Sequence, residues 1–89
     1  INHMAKHNKL FEKFTKIPPL KDLSFNELET LLTHLGFEKT EGSGSRIKFI
    51  HKDKNLVISL HKPHPSNILK EYIVKQIQEV LKGFKDGNA

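Results

Sequence analysis

The chain has 89 residues and a net charge of +5 with neutral histidines, so its length fits one domain and its overall charge is basic. It has no cysteine, which excludes a disulfide framework and a thiolate metal site. No apolar run approaches the roughly 18 residues that cross a bilayer, and no signal-peptide segment is recognisable. We therefore expect a cytoplasmic protein without membrane association. Its charge favours a polyanionic partner through counterion release, the alternative being a solvated lysine face that binds nothing.

The ends of the chain differ in character from its middle. Residues 1–3 precede the first methionine and are typical of a cloning remnant, so we exclude them from function. We predict four segments: a cloning remnant with the start methionine, an N-terminal helix with a proline linker, the main domain and a disordered tail, over residues 1–4, 5–22, 23–84 and 85–89.

Two helices are predicted at the start of the chain. Apolar residues at helical spacing predict a short helix over residues 6–15, which Pro18 and Pro19 end. Ser24 and Glu27 have the spacing of a capping box that begins the second helix. The apolar stripe of this helix, followed by a glycine typical of a helix C-terminus, comprises Leu28, Leu31, Leu32, Leu35 and then Gly36.

Alternating polarity then predicts three strands, over residues 37–41, 45–51 and 56–61. The glycine–serine turn at 42–44 and the polar loop at 52–55 join these strands as antiparallel hairpins. One face of the sheet is apolar and needs a cover of helices. The residues of this apolar face are Ile47, Phe49, Leu56, Ile58 and Leu60, and the opposite, accessible face carries Arg46, Lys48 and His61.

A last helix follows a rigid link that contains Pro63 and Pro65. Ser66 or Asn67 is predicted to cap this helix. Its predicted buried stripe comprises Leu69, Ile73, Ile77, Val80, Leu81 and Phe84. The sequence thus predicts an α+β domain of order α-α-β-β-β-α, with a three-stranded antiparallel sheet covered by helices on one face.

The glycine–serine turn is a candidate phosphate site. Glycines let backbone N–H groups approach an anion closely, and serine hydroxyls add donors. Arg46 at the end of the turn would supply a bidentate guanidinium. The alternative is an ordinary hairpin turn with an exposed arginine.

Two histidines near the end of the third strand, His61 and His64, are candidates for proton transfer, because imidazole titrates near neutrality. The alternative is a strand-to-helix connector with exposed rings. A metal site is not expected, because the prolines prevent the two rings from aligning on a helix and no carboxylate cluster accompanies them. His34 and His51 would have to converge on them by folding. No cofactor motif is present, so we expect no cofactor.

Taken together, three strings in the sequence resemble the HicA family of toxins. They lie at residues 27–37, 42–49 and 61–77, and the resemblance covers most of the chain, from 23 to 81. It implies a fold like a double-stranded-RNA-binding domain, of order α-β-β-β-α, and the N-terminal helix indicates a branch of the family with such an addition. It also implies cleavage of mRNA without a metal, and a HicB-like antitoxin that covers the active site.

The sequence departs from the family at one position. HicA proteins carry a Gly-Ser-His motif on the second strand, and its histidine is taken as catalytic, whereas Gly44, Ser45 and Arg46 stand here. Arginine stays protonated and cannot accept a proton from a ribose 2′-hydroxyl, but it can stabilise transition-state charge. The predicted catalytic residues are therefore His61, His64 and Arg46, and the predicted RNA-phosphate ligands are Ser43, Gly44, Ser45, Arg46, Lys48 and Lys62.

We accordingly expect the toxin of a type II toxin–antitoxin system, acting as a metal-independent endoribonuclease through 2′-hydroxyl attack. The missing histidine leaves two alternatives. One is a non-catalytic module that binds RNA through its basic face, with an affinity that falls steeply with salt. The other is a module that binds only an acidic antitoxin.

Overall fold

A computed structural model describes residues 6–84 of the chain. The predicted cloning remnant and disordered tail, at residues 1–4 and 85–89, lie outside the described residues. The class and element order predicted from the sequence are confirmed, and the fold is consistent with the double-stranded-RNA-binding-domain-like arrangement. The elements are α1 (Lys6–Phe14), α2 (Phe25–His34), β1 (Glu38–Glu41), β2 (Arg46–His51), β3 (Leu56–His61) and α3 (Glu71–Leu81).

The ends of α2 have the geometry that its sequence predicts. The Glu27 N–H donates to Ser24 Oγ at 3.1 Å, and the Ser24 N–H donates to Glu27 Oε1 at 3.0 Å, which completes the capping box. At the other end Gly36 has a φ of +104°, and the Phe37 N–H donates to Leu32 O at 2.9 Å. This bond belongs to a Schellman motif and uses the Phe37 amide, so β1 begins one residue later than predicted.

The sheet is antiparallel, in the order β1-β2-β3, and its two faces differ as predicted. In β2 the residues alternate between exposed and buried up to Phe49, which is fully buried. The Phe49 ring centroid lies 6.2 Å from that of Phe25, the first residue of α2. The helices therefore cover one face of the sheet and leave the other open.

The N-terminal helix packs into the same core as the sheet. Phe14, its last residue, is fully buried. Gln78 of α3 donates from Nε2 to the carbonyl oxygens of Phe14 and Lys16, at 3.0 and 2.9 Å, and thereby bonds the carbonyl end of α1 to α3. Lys13 also pairs with Glu27 of α2. These contacts join α1 to both α2 and α3.

The prediction for the start of the last helix is wrong. Neither Ser66 nor Asn67 caps it, because α3 begins at Glu71, with Lys70 at the N-cap and no side-chain cap. Two backbone bonds to the start of α2 and the residues before it hold residues 67–69 extended: the Phe25 N–H donates to Asn67 O, and the Leu69 N–H donates to Leu23 O, each at 2.8 Å. Because this tertiary pairing holds the backbone extended, α3 begins later in the chain than predicted. Among the helices that the structure describes, none is long and apolar enough to cross a membrane.

Candidate functional site

The open face of the sheet brings a cation and an imidazole together. Arg46 of β2 lies directly opposite His61 of β3, and both side chains are exposed. The Lys62 N–H donates to Ser45 O at 2.8 Å, so these two residues form a hydrogen-bonded pair. Such pairs alternate with non-hydrogen-bonded pairs along an antiparallel ladder, and side chains lie closest in the latter. Arg46 and His61 form a non-hydrogen-bonded pair, in which the two side chains lie close together.

A depression of about 520 Å³ lies over this face. The chemistry-bearing residues in its lining are Ser43, Arg46, Lys48, Ser59 and His61, together with the acidic Glu41. Lys48 is opposite Ser59 in the register, one pair along from Arg46 and His61 on the same face. The basic side chains of Arg46 and Lys48 outnumber the Glu41 carboxylate, so this depression suits an anion.

The neighbouring basic residue of β1 belongs to the other face. Lys39 is opposite the buried Phe49 in the register, and its Nζ lies 2.9 Å from Glu29 Oε2 and 3.4 Å from Glu41 Oε2. The hydrogen bond to Glu29 is the main reason that the pKa of Lys39 is raised. This lysine therefore connects β1 to α2, and the positive charge of the open face comes from β2.

The glycine–serine turn shapes one end of the depression. Gly44 has a φ of +66°, a conformation that favours glycine. The Gly42 N–H donates to Arg46 O at 2.8 Å, and the Arg46 N–H donates to Ser43 O at 3.4 Å. These two amides are thus used within the turn. The side chains of Ser43 and Arg46, which are candidate anion ligands, line the depression.

A hydrogen bond fixes the imidazole of His61. Its Nδ1 lies 3.2 Å from Ser45 Oγ, and either atom can donate, depending on the ring tautomer. When Nδ1–H donates to the serine, Nε2 carries a lone pair and can accept a proton. Ser45 lies outside the lining of the depression but orients the ring that lines it.

His64 and Lys62 lie in a second, smaller depression of about 280 Å³. His61 borders both depressions, so the two candidate histidines share this second one while Arg46 lines only the first. The Lys62 Nζ lies 5.7 Å from the ring centroid of Phe25, in a cation–π contact at the start of α2. The predicted site residues are therefore divided between two adjoining depressions, except Gly44 and Ser45, which line neither.

The residues of these depressions that sequence reasoning did not assign to a site include Ser59 and Tyr72. Ser59 lies between Ile58 and Leu60, whose side chains are buried. Because successive residues of a strand point to opposite faces, its position on the open face was predictable. Tyr72 lies on α3 beside the buried Ile73 and is 66% exposed. An aromatic residue outside the apolar stripe of an amphipathic helix was the available signal.

His51 has a structural role. It is 6% exposed, and the Lys54 N–H donates to its Nδ1 at 3.1 Å. Its Nε2 lies 3.1 Å from Leu35 O, and because a carbonyl only accepts, Nε2 carries the hydrogen. Both ring nitrogens are thus used in holding β2 to the end of α2. Within residues 6–84 no group of three or more His, Cys, Asp or Glu side chains is arranged to hold a metal ion.

Comparison with known proteins identifies the family. The family model for the HicA toxin of bacterial toxin–antitoxin systems matches residues 25–84, from the first residue of α2 to the residues after α3. No curated protein and no solved structure matches the chain. The matched residues include both depressions and the whole sheet. The chain therefore belongs to the HicA toxin family, whose members act with an antitoxin partner in bacterial toxin–antitoxin systems.

Proposed function

We propose that this toxin is a metal-independent endoribonuclease that cleaves mRNA in the cytoplasm. The single observation that carries the proposal is the pairing of Arg46 with His61 on the open face, with Ser45 bonded to the ring. A cation and an oriented imidazole side by side are what phosphodiester cleavage by an internal nucleophile needs.

The reaction begins with a ribose 2′-hydroxyl and the phosphate that follows it. Nε2 of His61 accepts the hydroxyl proton as the bond from O2′ to phosphorus forms. The protonated ring of His64 gives a proton to O5′ as the bond from phosphorus to O5′ breaks. The products are a 2′,3′-cyclic phosphate and a free 5′-hydroxyl, so the substrate itself supplies the nucleophile.

Arg46 stabilises the charge that develops on the phosphoryl oxygens in this reaction. Its guanidinium offers paired donors to two oxygens, which suits a phosphorane-like transition state. Ser43 and Lys48 line the same depression and hold the phosphate. Ser45 keeps Nδ1 protonated by accepting its hydrogen, which leaves Nε2 as the base. The arginine that replaces the usual histidine thus acts as an electrostatic group, and the base is supplied from β3.

The test is cleavage of a labelled single-stranded RNA by the purified protein in excess EDTA. We expect chain cuts that end in cyclic phosphate, with His61→Ala lowering the rate by about 10²–10⁴-fold, the usual contribution of one general base. His34→Ala is the matched control, because His34 is exposed at the end of α2 and outside both depressions. Intact RNA, or a rate unchanged in His61→Ala and His64→Ala, would overturn the proposal.

A non-catalytic RNA-binding role is the second candidate, and the arginine at the motif position is the observation that favours it. In that case RNA binds in EDTA without being cut, and the affinity still depends on Arg46 and Lys48. We propose that in either case a HicB-like antitoxin is the protein partner and covers the open face. Binding to an acidic antitoxin alone would instead give a tight complex at high salt and no affinity of the free protein for RNA.

A further inference from the structure

The second depression contains an aromatic side chain that the fold does not use. Tyr72 is in the first turn of α3, whose buried residues are Ile73, Val74, Ile77 and Leu81. The tyrosine lies outside that stripe and is 66% exposed. Nearby Ile68 is 41% exposed and lines the same depression. A large ring held at the surface beside another apolar side chain is a surface that can take a flat apolar ligand.

Basic residues line the same depression as this ring. The lining of the depression includes Lys62, Lys70 and His64, and the described residues that line it include no carboxylate. Glu71, which precedes the tyrosine, pairs with Lys75 at 3.3 Å along the helix instead. An exposed aromatic ring in a depression that is also lined by lysines is an arrangement with which proteins bind single-stranded nucleic acid, since bases stack on the ring while phosphates contact the lysines.

The two depressions adjoin at His61, which borders both. An RNA chain whose scissile phosphate lies at Arg46 and His61 therefore continues past His64 toward Tyr72. Because His64 is the group assigned to the leaving O5′, the nucleotide on its side is the one that follows the cut. The volume of about 280 Å³ suits one nucleoside better than a second helix or strand.

We propose that Tyr72 stacks on the nucleobase immediately 3′ of the cleaved bond, with Lys62 and Lys70 contacting the phosphate that follows. This inference rests on the proposed function and deepens it, since it names single-stranded RNA as the substrate and assigns a base subsite. A duplex keeps its bases stacked within its own helix, so this subsite selects unpaired nucleotides.

The protein contains one tyrosine and no tryptophan, so its tyrosine fluorescence reports on this residue alone. We expect a 2′-O-methylated single-stranded hexanucleotide, which binds but lacks the attacking hydroxyl, to quench that emission on stacking. We also expect Tyr72→Ala to weaken binding of the hexanucleotide by about 5- to 100-fold and Tyr72→Phe to retain it, because stacking needs the ring and not the hydroxyl. Ile17→Ala is the control, as it removes an apolar side chain that is 87% exposed elsewhere.

The position of the base is tested with a chain that has one cleavable ribose among 2′-O-methylated residues. An abasic site immediately 3′ of that ribose is expected to lower kcat/KM for the wild type to the level of Tyr72→Ala, whereas an abasic site at the ribose itself preserves the difference between the two proteins. The reverse pattern would contradict the assigned side.

Different results would contradict the proposed nuclease activity and the proposed base subsite. RNA that is cut normally, without quenching and with equal affinity for wild type and Tyr72→Ala, would overturn the base subsite and leave the proposed function intact; the exposed ring would then belong to a protein-docking surface. Quenching and a Tyr72-dependent affinity without any cleavage would overturn the nuclease and support stacking. No binding of RNA at all would overturn both.

Discussion

The two faces of the hairpin formed by β2 and β3 come from the same twelve residues and have opposite roles. On the covered face, Phe49 and Ile58 are paired in register and fully buried. On the open face, Arg46 is paired with His61 and both are exposed. Successive side chains of a strand point to opposite faces, so stability and chemistry are assigned to alternate residues. Neighbours in the sequence should therefore respond to substitution in opposite ways.

The largest expected effect is on the covered face. Phe49→Ala removes a fully buried ring that packs on Phe25, and we expect it to lower the free energy of unfolding by about 3–5 kcal/mol. Urea unfolding followed by circular dichroism measures this loss. Lys48→Ala, one residue earlier and exposed, is the matched control and should change stability by less than about 0.5 kcal/mol. Equal losses in the two variants would contradict the division of roles between the covered and the open face.

On the open face, we expect substitution to change the rate of RNA cleavage and not the stability of the fold. Arg46→Ala should lower kcat for RNA cleavage by about 10²–10³-fold, the usual consequence of losing one donor to a developing oxyanion. Its urea midpoint should stay within experimental error of the wild type. The adjacent Ile47→Ala should do the opposite, with a lowered midpoint and a nearly normal rate for the folded fraction. A large stability loss in Arg46→Ala would mean that the guanidinium supports the fold.

A smaller effect is expected on the pH dependence of stability, through the Glu27 carboxylate at the start of α2. Partial burial alone would raise the pKa of Glu27, but hydrogen bonds from Lys13 and from the Ser24 amide and hydroxyl outweigh it and lower the pKa below 4.5. Because the folded pKa is the lower one, the stabilising contribution is present above pH 4.5 and is lost as pH falls through the folded value.

Glu27→Gln tests this contribution. The variant should be less stable than the wild type at neutral pH, and the difference should shrink when the urea midpoint is measured at successively lower pH below 4.5. Ser24→Ala should cost about 1 kcal/mol through loss of the cap. Glu12→Gln, an exposed carboxylate on α1, serves as the control for general acid effects. A constant difference at all pH values would contradict the lowered pKa.

The smallest expected effect is on the salt dependence of RNA binding, which tests whether Lys48 contacts a phosphate. Lys48→Ala should weaken RNA binding uniformly across sequences and reduce the slope of log affinity against log salt by about 1, as for one lost phosphate contact. Fluorescence anisotropy at several salt concentrations measures this slope. Lys75→Ala, which removes a lysine of α3 paired with Glu71, should leave the slope unchanged. An unchanged slope in Lys48→Ala would remove this lysine from the interface.

The local features were predictable because each depends on near neighbours in the chain. The capping box of Ser24 and Glu27 and the positive φ of Gly36 follow from a few adjacent residues, and both are confirmed. The alternation in β2 likewise assigned Arg46 to the open face. The start of α3 was not predictable in this way. It depends on backbone bonds between residues 67–69 and the start of α2 with the residues before it, more than 40 residues away.

The sequence by itself determined the class of the fold, the order of its elements and which side chains face away from the core, because periodicity and turn chemistry are short-range. Only the tertiary structure decided the details of the site. Strand register placed Arg46 opposite His61, and the turn brought Ser45 to its ring. The connector placed His64 with Tyr72 in a second depression. These arrangements depend on how distant segments pack, and no local pattern encodes the distance between them.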